Sequence, residues 1–319
     1  MGDVMAAAIE AKAGAVESGP DRRPFSGVLA PALTPFKPDL QPDREAFVAF
    51  CGWLLDQGAN GLAVFGTTSE ANSLSLAERI SLLEHLVENK IPGRTLMPGT
   101  GGCNLPEAVQ LTRGALDAGA GAVLLLPPFY YKNVPEDGVF AYYAEIIERI
   151  GRKDLRLFLY HIPQMSGVPI TPALIARLRA AYGVVIAGLK DSSGNWDNVA
   201  LLLREFPDFA IFPASERFLL PALRAGGSGC ISATANFQVG NIRKLIDTPD
   251  GDERVRLDAE VGRIRSVFEQ YPLIPALKAA AASLFRRETW RILRPPLREL
   301  SADQRRDLLR ALGMEGRAG

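Results

Sequence analysis

The sequence predicts a (β/α)8 barrel followed by an appendage of C-terminal helices. Eight short apolar segments alternate with eight amphipathic segments over about 220 residues, and this number and length suit such a barrel. The apolar segments are almost uninterrupted, as expected for parallel strands that are buried on both faces. After residue 250 the alternation stops, so the α/β barrel is expected to end there and helices alone to follow.

The elements of the predicted barrel can be read in order along the chain. The strands cover 27–36, 61–68, 95–101, 121–128, 155–163, 183–190, 209–215 and 227–236. The helices that follow them cover 44–58, 75–90, 104–118, 135–150, 171–182, 196–206, 216–226 and 238–247. Their ends carry typical signals, such as Gly58 after the first helix and Thr171 with Pro172 at the start of the fifth.

The predicted domain boundaries follow from these segments. Residues 26–248 form the catalytic barrel and residues 249–319 form the C-terminal helices, with helical spacing over 253–270, 274–285 and 303–313. Residues 1–25, which are Ala-rich with scattered charges, are expected to be a poorly ordered tail. They have neither the basic start nor the unbroken apolar stretch of a secretory signal, so none is expected. A doubly wound sheet is the alternative, but "GTGG" (99–102) lacks the third glycine of a dinucleotide-binding turn.

The composition argues against several classes of partner. Lysine plus arginine equals aspartate plus glutamate at 36 each, so no basic field is expected to attract nucleic acid or an acidic membrane. No window approaches 18 uncharged apolar residues, and no membrane-spanning helix is expected. The three cysteines are widely spaced without a CxxC motif, which is typical of reduced thiols in a cytoplasmic protein.

The sequence also lacks the usual motifs of a zinc site and of a catalytic serine triad. The two histidines, His85 and His161, are far apart in sequence, whereas zinc sites draw on several closely spaced ligands. No G-x-S-x-G elbow is present to carry a nucleophilic serine. We therefore expect neither a metal nor an organic cofactor.

Lys190 ends an apolar strand, "GVVIAGLK" (183–190), in a chain where only eight of the 36 basic residues are lysines. An ammonium that is carried into an apolar site loses hydration, and its pKa falls. The lysine then loses its proton more readily, and the neutral amine is a nucleophile near neutral pH. Taken alone, the segment leaves two interpretations open. Lys190 either snorkels into solvent from a strand end or forms a Schiff base.

Polar residues at the ends of the other predicted strands favour the Schiff base, because barrel chemistry lies at the carboxyl ends of the strands. On the adjacent strand, Tyr160 can serve as general acid and base, since an ammonium beside a phenol lowers its pKa. Thr67 can relay its proton, and Thr67 and Thr68 can donate hydrogen bonds to the carboxylate of a 2-oxo acid. The full set of such residues is 66–70, Phe129, Tyr130, Tyr131, Tyr160, His161, Lys190, Asp191, Ser232, Thr234 and Asn236.

Each of these residues also has a purely structural interpretation. Tyr160 can be a packing residue at the top of the barrel, and Thr67 and Thr68 can cap the turn into the next helix. For His161 we favour a hydrogen-bonded position behind the site.

Five motifs occur in the order that one enzyme family requires: "GTT-x-E" (66–70), "PPFYY" (127–131), "YHIPxxSG" (160–167), "GLKDSSG" (188–194) and "GGSGCISATAN" (226–236). Together they resemble the dihydrodipicolinate synthase/N-acetylneuraminate lyase family of class I aldolases over about residues 26–313. The resemblance implies that Lys190 forms the imine, Tyr160 moves the proton, Thr67 relays it and Thr68 binds the carboxylate, with the Ile231 backbone nearby.

The resemblance also carries an expectation about assembly. Tyr130 matches a tyrosine that some family members insert into the site of a neighbouring subunit. It is therefore predicted to be a catalytic residue, and the protein to be a homodimer or a homotetramer with an isologous interface near the fourth strand.

Departures from the family pattern bear on the second substrate. In the synthase proper, an arginine in the loop after the catalytic tyrosine binds a carboxylate, but the matching residue here is Met165, which cannot pair with one. Ser69 stands where family members usually have glycine, and His161 stands where they often have asparagine. His161, Gln164 and Met165 therefore predict a more neutral pocket, in which His161 and Gln164 contact substrate hydroxyls.

The predicted function is that of a metal-free class I aldolase or lyase that acts on a pyruvate-type 2-oxo acid and an aldehyde. A 2-keto-3-deoxy sugar acid is the favoured substrate. The alternatives are a dehydratase or deaminase on the same imine, which would release water or ammonia without pyruvate, and dihydrodipicolinate synthase itself. A non-enzymatic sensor of 2-oxo acids is a further alternative, marked by tight binding without turnover.

Overall fold

The computed structural model describes residues 24–314. Most of the predicted N-terminal tail, residues 1–23, lies outside the described residues. Phe25, at the end of that predicted tail, is buried under the barrel, where its ring meets that of Phe158 edge-on at 6.4 Å.

Seven strands run parallel to one another in the described chain. They form two sheets with the orders β2-β1-β7 and β3-β4-β5-β6. Their bounds are β1 Gly27–Ala30, β2 Gly61–Leu62, β3 Val123–Leu125, β4 Leu157–His161, β5 Ile186–Asp191, β6 Ala210–Pro213 and β7 Gly229–Ile231. Most strands are shorter than predicted, because each covers only the residues that share ladder hydrogen bonds with a neighbouring strand.

Backbone hydrogen bonds connect the two sheets into a ring. On one side, the Ser228 amide donates to the Ile211 carbonyl at 3.0 Å and joins β7 to β6. On the other side, residues 96–100 lie between β2 and β3, with the Met97 amide bonded to the Leu62 carbonyl and the Leu124 amide bonded to the Pro98 carbonyl, both at 2.9 Å. The predicted fold class, an α/β barrel, is confirmed.

The predicted third strand, 95–101, is the main difference between sequence and structure. It makes only two isolated parallel bridges, Leu62–Leu96 and Gly99–Leu124, one to each neighbour. Pro98 lies between them and has no backbone N–H to donate, so a continuous ladder cannot form. The segment still fills its position in the ring.

Helices follow the strands and form the outer layer. Their bounds are α1 Arg44–Asp56, α2 Leu76–Glu88, α3 Leu105–Asp117, α4 Glu136–Ile150, α5 Pro163–Ser166, α6 Pro172–Tyr182, α7 Trp196–Glu205, α8 Leu219–Arg224, α9 Ala235–Asp247, α10 Asp252–Phe268, α11 Leu273–Leu284 and α12 Ala302–Ala311. The short α5 was not predicted. Helix α9 begins three residues before the predicted start at residue 238, and Gln238 interrupts it with non-helical dihedral angles. Within the described range, no helix is both long and apolar enough to cross a membrane.

The interior of the barrel is closed below the site by aromatic side chains. Phe158 and Phe212 are fully buried there, with ring centroids 5.9 Å apart. Gly188 makes room for them, because a Cβ at this position would lie 2.2 Å from the Phe158 ring and 2.4 Å from the Ala210 carbonyl oxygen. This apolar floor excludes water beneath the strand ends.

A buried ion pair fixes the C-terminal helices to the loop after β2. Lys278 of α11 pairs with Glu70, and both side chains are inaccessible to solvent. The Lys278 ammonium also donates to the Ile292 carbonyl at 2.8 Å and lies 4.4 Å from the centre of the Phe36 ring. Burial lowers the pKa of Lys278 to about 8, and the Glu70 carboxylate opposes this shift.

Lys278→Met is expected to reduce the free energy of unfolding by about 3–5 kcal/mol, because it leaves the Glu70 carboxylate buried without its counter-charge. Urea denaturation of the variant and the wild type measures the difference. The double variant Glu70→Gln/Lys278→Met should recover a large part of the loss, since neither charge is then left alone. A single variant within about 1 kcal/mol of the wild type would contradict this role.

Candidate active site

Tyr160 and Lys190 are cross-strand neighbours on β4 and β5. The parallel register pairs them directly, and both side chains point into the barrel at the carboxyl end of the strands. Leu189 alternates to the outer face and packs in the core between strands and helices. The apolar strand ends on an amine because period-two alternation aims Lys190 into the barrel interior.

The two side chains and Thr67 form a chain of polar contacts. Lys190 Nζ donates to Tyr160 Oη at 3.3 Å and lies 4.4 Å from the centre of the tyrosine ring. Thr67 Oγ1 lies 3.2 Å from Tyr160 Oη, within hydrogen-bond distance. Lys190 is only 4% exposed and Tyr160 only 3%, so the snorkelling interpretation of the lysine does not fit the structure.

The environment of Tyr160 favours its ionised form. Burial by itself raises the pKa of the phenol, but the charge of Lys190 and hydrogen bonds from Thr67, Lys190 and Ser192 outweigh it. The net result is a pKa below the ordinary tyrosine value. Such a phenol can exchange a proton more readily near neutral pH than a free tyrosine.

The loop after β5 is held by Asp191, the residue that follows the lysine. Its carboxylate accepts hydrogen bonds from the Ser193 amide at 2.8 Å, the Ser193 hydroxyl at 2.6 Å and the Asn198 side chain at 2.6 Å. This turn keeps the Asp191 carboxylate occupied. It also directs Ser192 toward the hydroxyl of Tyr160.

A cavity of about 390 Å³ opens above these residues. Most of the predicted site residues line it: Thr67, Thr68, Tyr160, Gln164, Met165, Lys190 and Ile231. Thr68 is nearly buried and Ile231 is fully buried at the end of β7, whereas Met165 is 63% exposed at the mouth. Gln164 donates to the Ser192 carbonyl at 2.6 Å and so joins α5 to the loop after β5.

Two residues with a predicted role in catalysis or substrate binding, His161 and Tyr130, do not line the cavity. His161 is buried behind β4, where its Nδ1 accepts a hydrogen bond from the Ile170 amide at 3.0 Å. Burial lowers its pKa, with Asp191 opposing the shift. We therefore correct the predicted contact between His161 and substrate, since alternation along β4 points it away from Tyr160. The ring of Tyr130 is 72% exposed and meets Tyr131 edge-on at 5.4 Å.

Sequence reasoning missed part of the cavity wall. Arg265 of α10 reaches the cavity from the C-terminal helices, and the segment 272–275 adds an apolar side together with Phe218 and Leu297. None of these residues lies at a strand end or within a motif, so position in the barrel gave no signal for them. Ser192 is the first residue after β5 and Ser215 the second residue after β6, and a wider search of strand ends would have found both.

Among residues 24–314, no group of three or more histidine, cysteine, aspartate or glutamate side chains is arranged to hold a metal ion.

Comparisons with known proteins agree with this arrangement. Residues 24–314 match the dihydrodipicolinate synthetase family. An uncharacterized DapA-like lyase from Chloroflexus aurantiacus is 36% identical over 80% of this chain and 85% of its own length. A 4-hydroxy-tetrahydrodipicolinate synthase from Methanosarcina barkeri is 30% identical over 91% of this chain and 99% of its own length.

Solved structures show the same fold. A dihydrodipicolinate synthase from Agrobacterium tumefaciens superimposes with a TM-score of 0.83 and 34% identity, covering 90% of this chain and 98% of that one. YagE, a prophage protein of the dihydrodipicolinic acid synthase family from E. coli solved in complex with pyruvate, gives a TM-score of 0.82 at 26% identity, covering 91% and 99%.

A ring of parallel strands with a lysine, a tyrosine and a threonine in contact at its carboxyl end defines a barrel enzyme, and the relatives are lyases and synthases. The chain belongs to the dihydrodipicolinate synthetase family. The predicted family and the prediction of a lyase are confirmed.

Proposed function

We propose that the protein is a Schiff-base lyase that binds pyruvate at Lys190 and cleaves or forms a carbon–carbon bond to a neutral hydroxyaldehyde. The contact of the Lys190 amine with Tyr160 in a buried cavity is the observation that carries this proposal. A 2-keto-3-deoxy sugar acid is the corresponding substrate in the cleavage direction. The structure of YagE was solved in complex with pyruvate, which supports the choice of 2-oxo acid.

Imine formation begins when the unprotonated Lys190 amine attacks C2 of the 2-oxo acid. The carbonyl oxygen takes one proton from the attacking nitrogen and a second from the Tyr160 hydroxyl and leaves as water, so that the nitrogen keeps the substrate as a protonated imine and Tyr160 is left ionised. Tyr160 Oη, 3.3 Å from Nζ, is within reach of both the oxygen and the nitrogen during this step. Thr68 and the backbone of Ile231 line the same cavity and are proposed to hold the carboxylate.

Bond cleavage uses the same tyrosine as a base. Ionised Tyr160 accepts the proton of the C4 hydroxyl, and the electron pair of the C3–C4 bond moves toward the imine. The aldehyde departs, and the enamine of pyruvate remains on Lys190. Protonation of the enamine at C3 and addition of water to the resulting imine release pyruvate and restore the amine. Thr67, 3.2 Å from Tyr160 Oη, supports the return of the proton to that oxygen.

The mouth of the cavity favours a neutral second substrate. Met165 is the residue that the family resemblance matches to a carboxylate-binding arginine, it lines the cavity with Gln164, and neither side chain can form a bidentate pair with a carboxylate. Synthase activity of the kind named for the Methanosarcina barkeri relative is the second candidate, because that relative covers nearly the whole chain. The thioether of Met165 argues against it.

An oligomer is proposed from an exposed aromatic surface and from the family resemblance. Tyr130 and Tyr131 form an exposed aromatic pair beyond β3, and Lys132 fixes their loop by donating to the Ser166 carbonyl at 2.9 Å. We propose that this surface meets a second copy in a homodimer or homotetramer. Tyr130 would then complete the neighbouring site, as the family resemblance implies.

Borohydride trapping tests the imine. The protein is incubated with pyruvate, reduced and digested, and the mass of the peptide that carries Lys190 is measured. A pyruvate-derived adduct on this peptide is expected. A folded protein that gives no adduct with pyruvate or with larger 2-oxo acids would overturn the proposal, and release of water or ammonia without pyruvate would identify a dehydratase or deaminase.

Met165→Arg is expected to raise kcat/KM for an acidic aldehyde relative to a neutral one, because it places a cation at the exposed mouth. A ratio at least about tenfold above that of the wild type is the expected size for one charge-assisted hydrogen bond. Met165→Leu is the matched control, since it keeps the volume without a charge. An unchanged ratio would show that residue 165 does not face the second substrate.

A further inference from the structure

Arg265 is an arginine in the wall of the cavity that comes from outside the barrel. Its side chain, on α10, is only 14% exposed. Nη1 contacts the Ala214 carbonyl at 3.4 Å and the Ser232 hydroxyl at 3.2 Å, and these two groups follow β6 and β7 directly. The guanidinium is thus fixed at the carboxyl end of the barrel, on the strands that follow β5 in the ring.

Carboxylates on two sides hold the guanidinium in one orientation. Nε donates to Glu269 at 2.8 Å, and Nη1 lies 3.4 Å from the carboxylate of Glu216, whose side chain is fully buried. Glu269 is held in turn by Arg217 at 2.6 Å. Among the described residues, none accepts a hydrogen bond from the remaining terminal nitrogen of Arg265, Nη2. Nη2 therefore remains a free donor on a side chain that lines the cavity.

The same carboxylates decide what kind of ligand suits that donor. Glu216 and Glu269 offset the positive charge of Arg265, so the group acts mainly as a directional hydrogen-bond donor and has little net attraction for an anion. In the described chain, Lys190 and Arg265 are the two cationic side chains that line the cavity. The wall formed by residues 272–275 and Leu297 is apolar and offers no competing side-chain donor.

We propose that Arg265 determines specificity for the second substrate, by donating from Nη2 to a hydroxyl oxygen of an uncharged hydroxyaldehyde. This inference rests on the proposed function, because it needs pyruvate bound at Lys190. It goes beyond that function by assigning recognition to the C-terminal helices, on the opposite side of the imine from Met165. Acidic aldehydes gain little from Arg265 in this assignment, since Glu216 and Glu269 already pair with its charge.

The test compares two aldehydes of similar size in condensation with pyruvate. Glyceraldehyde carries hydroxyl groups and propanal has none. Arg265→Met is expected to lower kcat/KM for glyceraldehyde by roughly 10- to 100-fold, the size expected for a hydrogen bond to a charged donor, and to leave propanal nearly unchanged. Arg256→Met, at an exposed arginine on the same helix, should change neither value. Equal effects of Arg265→Met on both aldehydes would overturn the assignment.

A second variant separates a folding defect from a loss of recognition. Arg265→Lys keeps a cation between Glu216 and Glu269 but has no second terminal nitrogen, so the same selective loss for glyceraldehyde is expected. Glu269→Gln removes one compensating charge and should raise kcat/KM for glyoxylate, an acidic aldehyde. A wild type that prefers glyoxylate to glyceraldehyde would overturn the assignment of an uncharged substrate.

Borohydride trapping of pyruvate in the same preparations distinguishes the two proposals. No adduct in the wild type means that the proposed function fails, and the role of Arg265 fails with it. Adducts in both the wild type and Arg265→Met, with unchanged discrimination between glyceraldehyde and propanal, overturn the role of Arg265 alone.

Discussion

Replacing Lys190 with alanine is expected to reduce turnover of every substrate to below about 1% of the wild-type value, because the imine can no longer form. The apolar floor of Phe158 and Phe212 should accept the smaller side chain without unfolding. Turnover is measured as pyruvate release from 2-keto-3-deoxy sugar acids and as condensation of pyruvate with glyceraldehyde. Lys153→Ala, at an exposed lysine, is the matched control.

A folded Lys190→Ala protein with more than about 1% of wild-type turnover would refute covalent catalysis by this amine. Folding is checked by the midpoint of thermal unfolding. Borohydride trapping of the variant should give no adduct at the peptide of residue 190, whatever its stability.

Tyr160→Phe is expected to lower kcat/KM by about 10²- to 10⁴-fold, the range for loss of a general acid and base. The ring and its contact with the Lys190 amine remain, but the hydroxyl that bonds Lys190 and Thr67 is gone. Tyr182→Phe is the matched control, because that hydroxyl bonds Glu148 at the surface.

The pH dependence provides a second readout for Tyr160. In the cleavage direction the phenol must be ionised to accept a proton, so kcat/KM of the wild type should rise with pH through the pKa of Tyr160. Because this pKa is below the ordinary tyrosine value, the rise should occur at lower pH than for a free tyrosine. The part of the rise that belongs to the phenol should be lost in Tyr160→Phe. If Tyr160→Phe has a kcat/KM within tenfold of the wild-type value and keeps the same rise with pH, Tyr160 is excluded as the base.

Sequence reasoning reached the center of the site because strand periodicity carries geometric information. Once Tyr160 and Lys190 are assigned to the ends of adjacent parallel strands, their contact follows from alternation and register. The error at His161 has the same origin. It is the next residue on β4, so the alternation that points Tyr160 inward also points His161 outward, toward Ile170.

Arg265 and Lys278 could not be predicted in the same way. Both lie on helices that follow the barrel, and helical spacing identifies the buried face of a helix but not the strand end that it meets. The pairing of Lys278 with Glu70 joins residues 208 positions apart in the chain. Tertiary packing alone determines such a contact.

The ion pair of Glu70 and Lys278 has a consequence for the order in which the protein matures during synthesis. Translation proceeds from the N-terminus, so every barrel strand leaves the ribosome before Lys278 does. Until then the carboxylate beside the loop of Thr67 and Thr68 has no counter-ion. Arg265, in the wall of the same cavity, also follows every strand in the chain. A nascent chain therefore acquires the complete site only after the C-terminal helices that carry Arg265 and Lys278 have been synthesised, and Lys190 lies in an incomplete cavity until then.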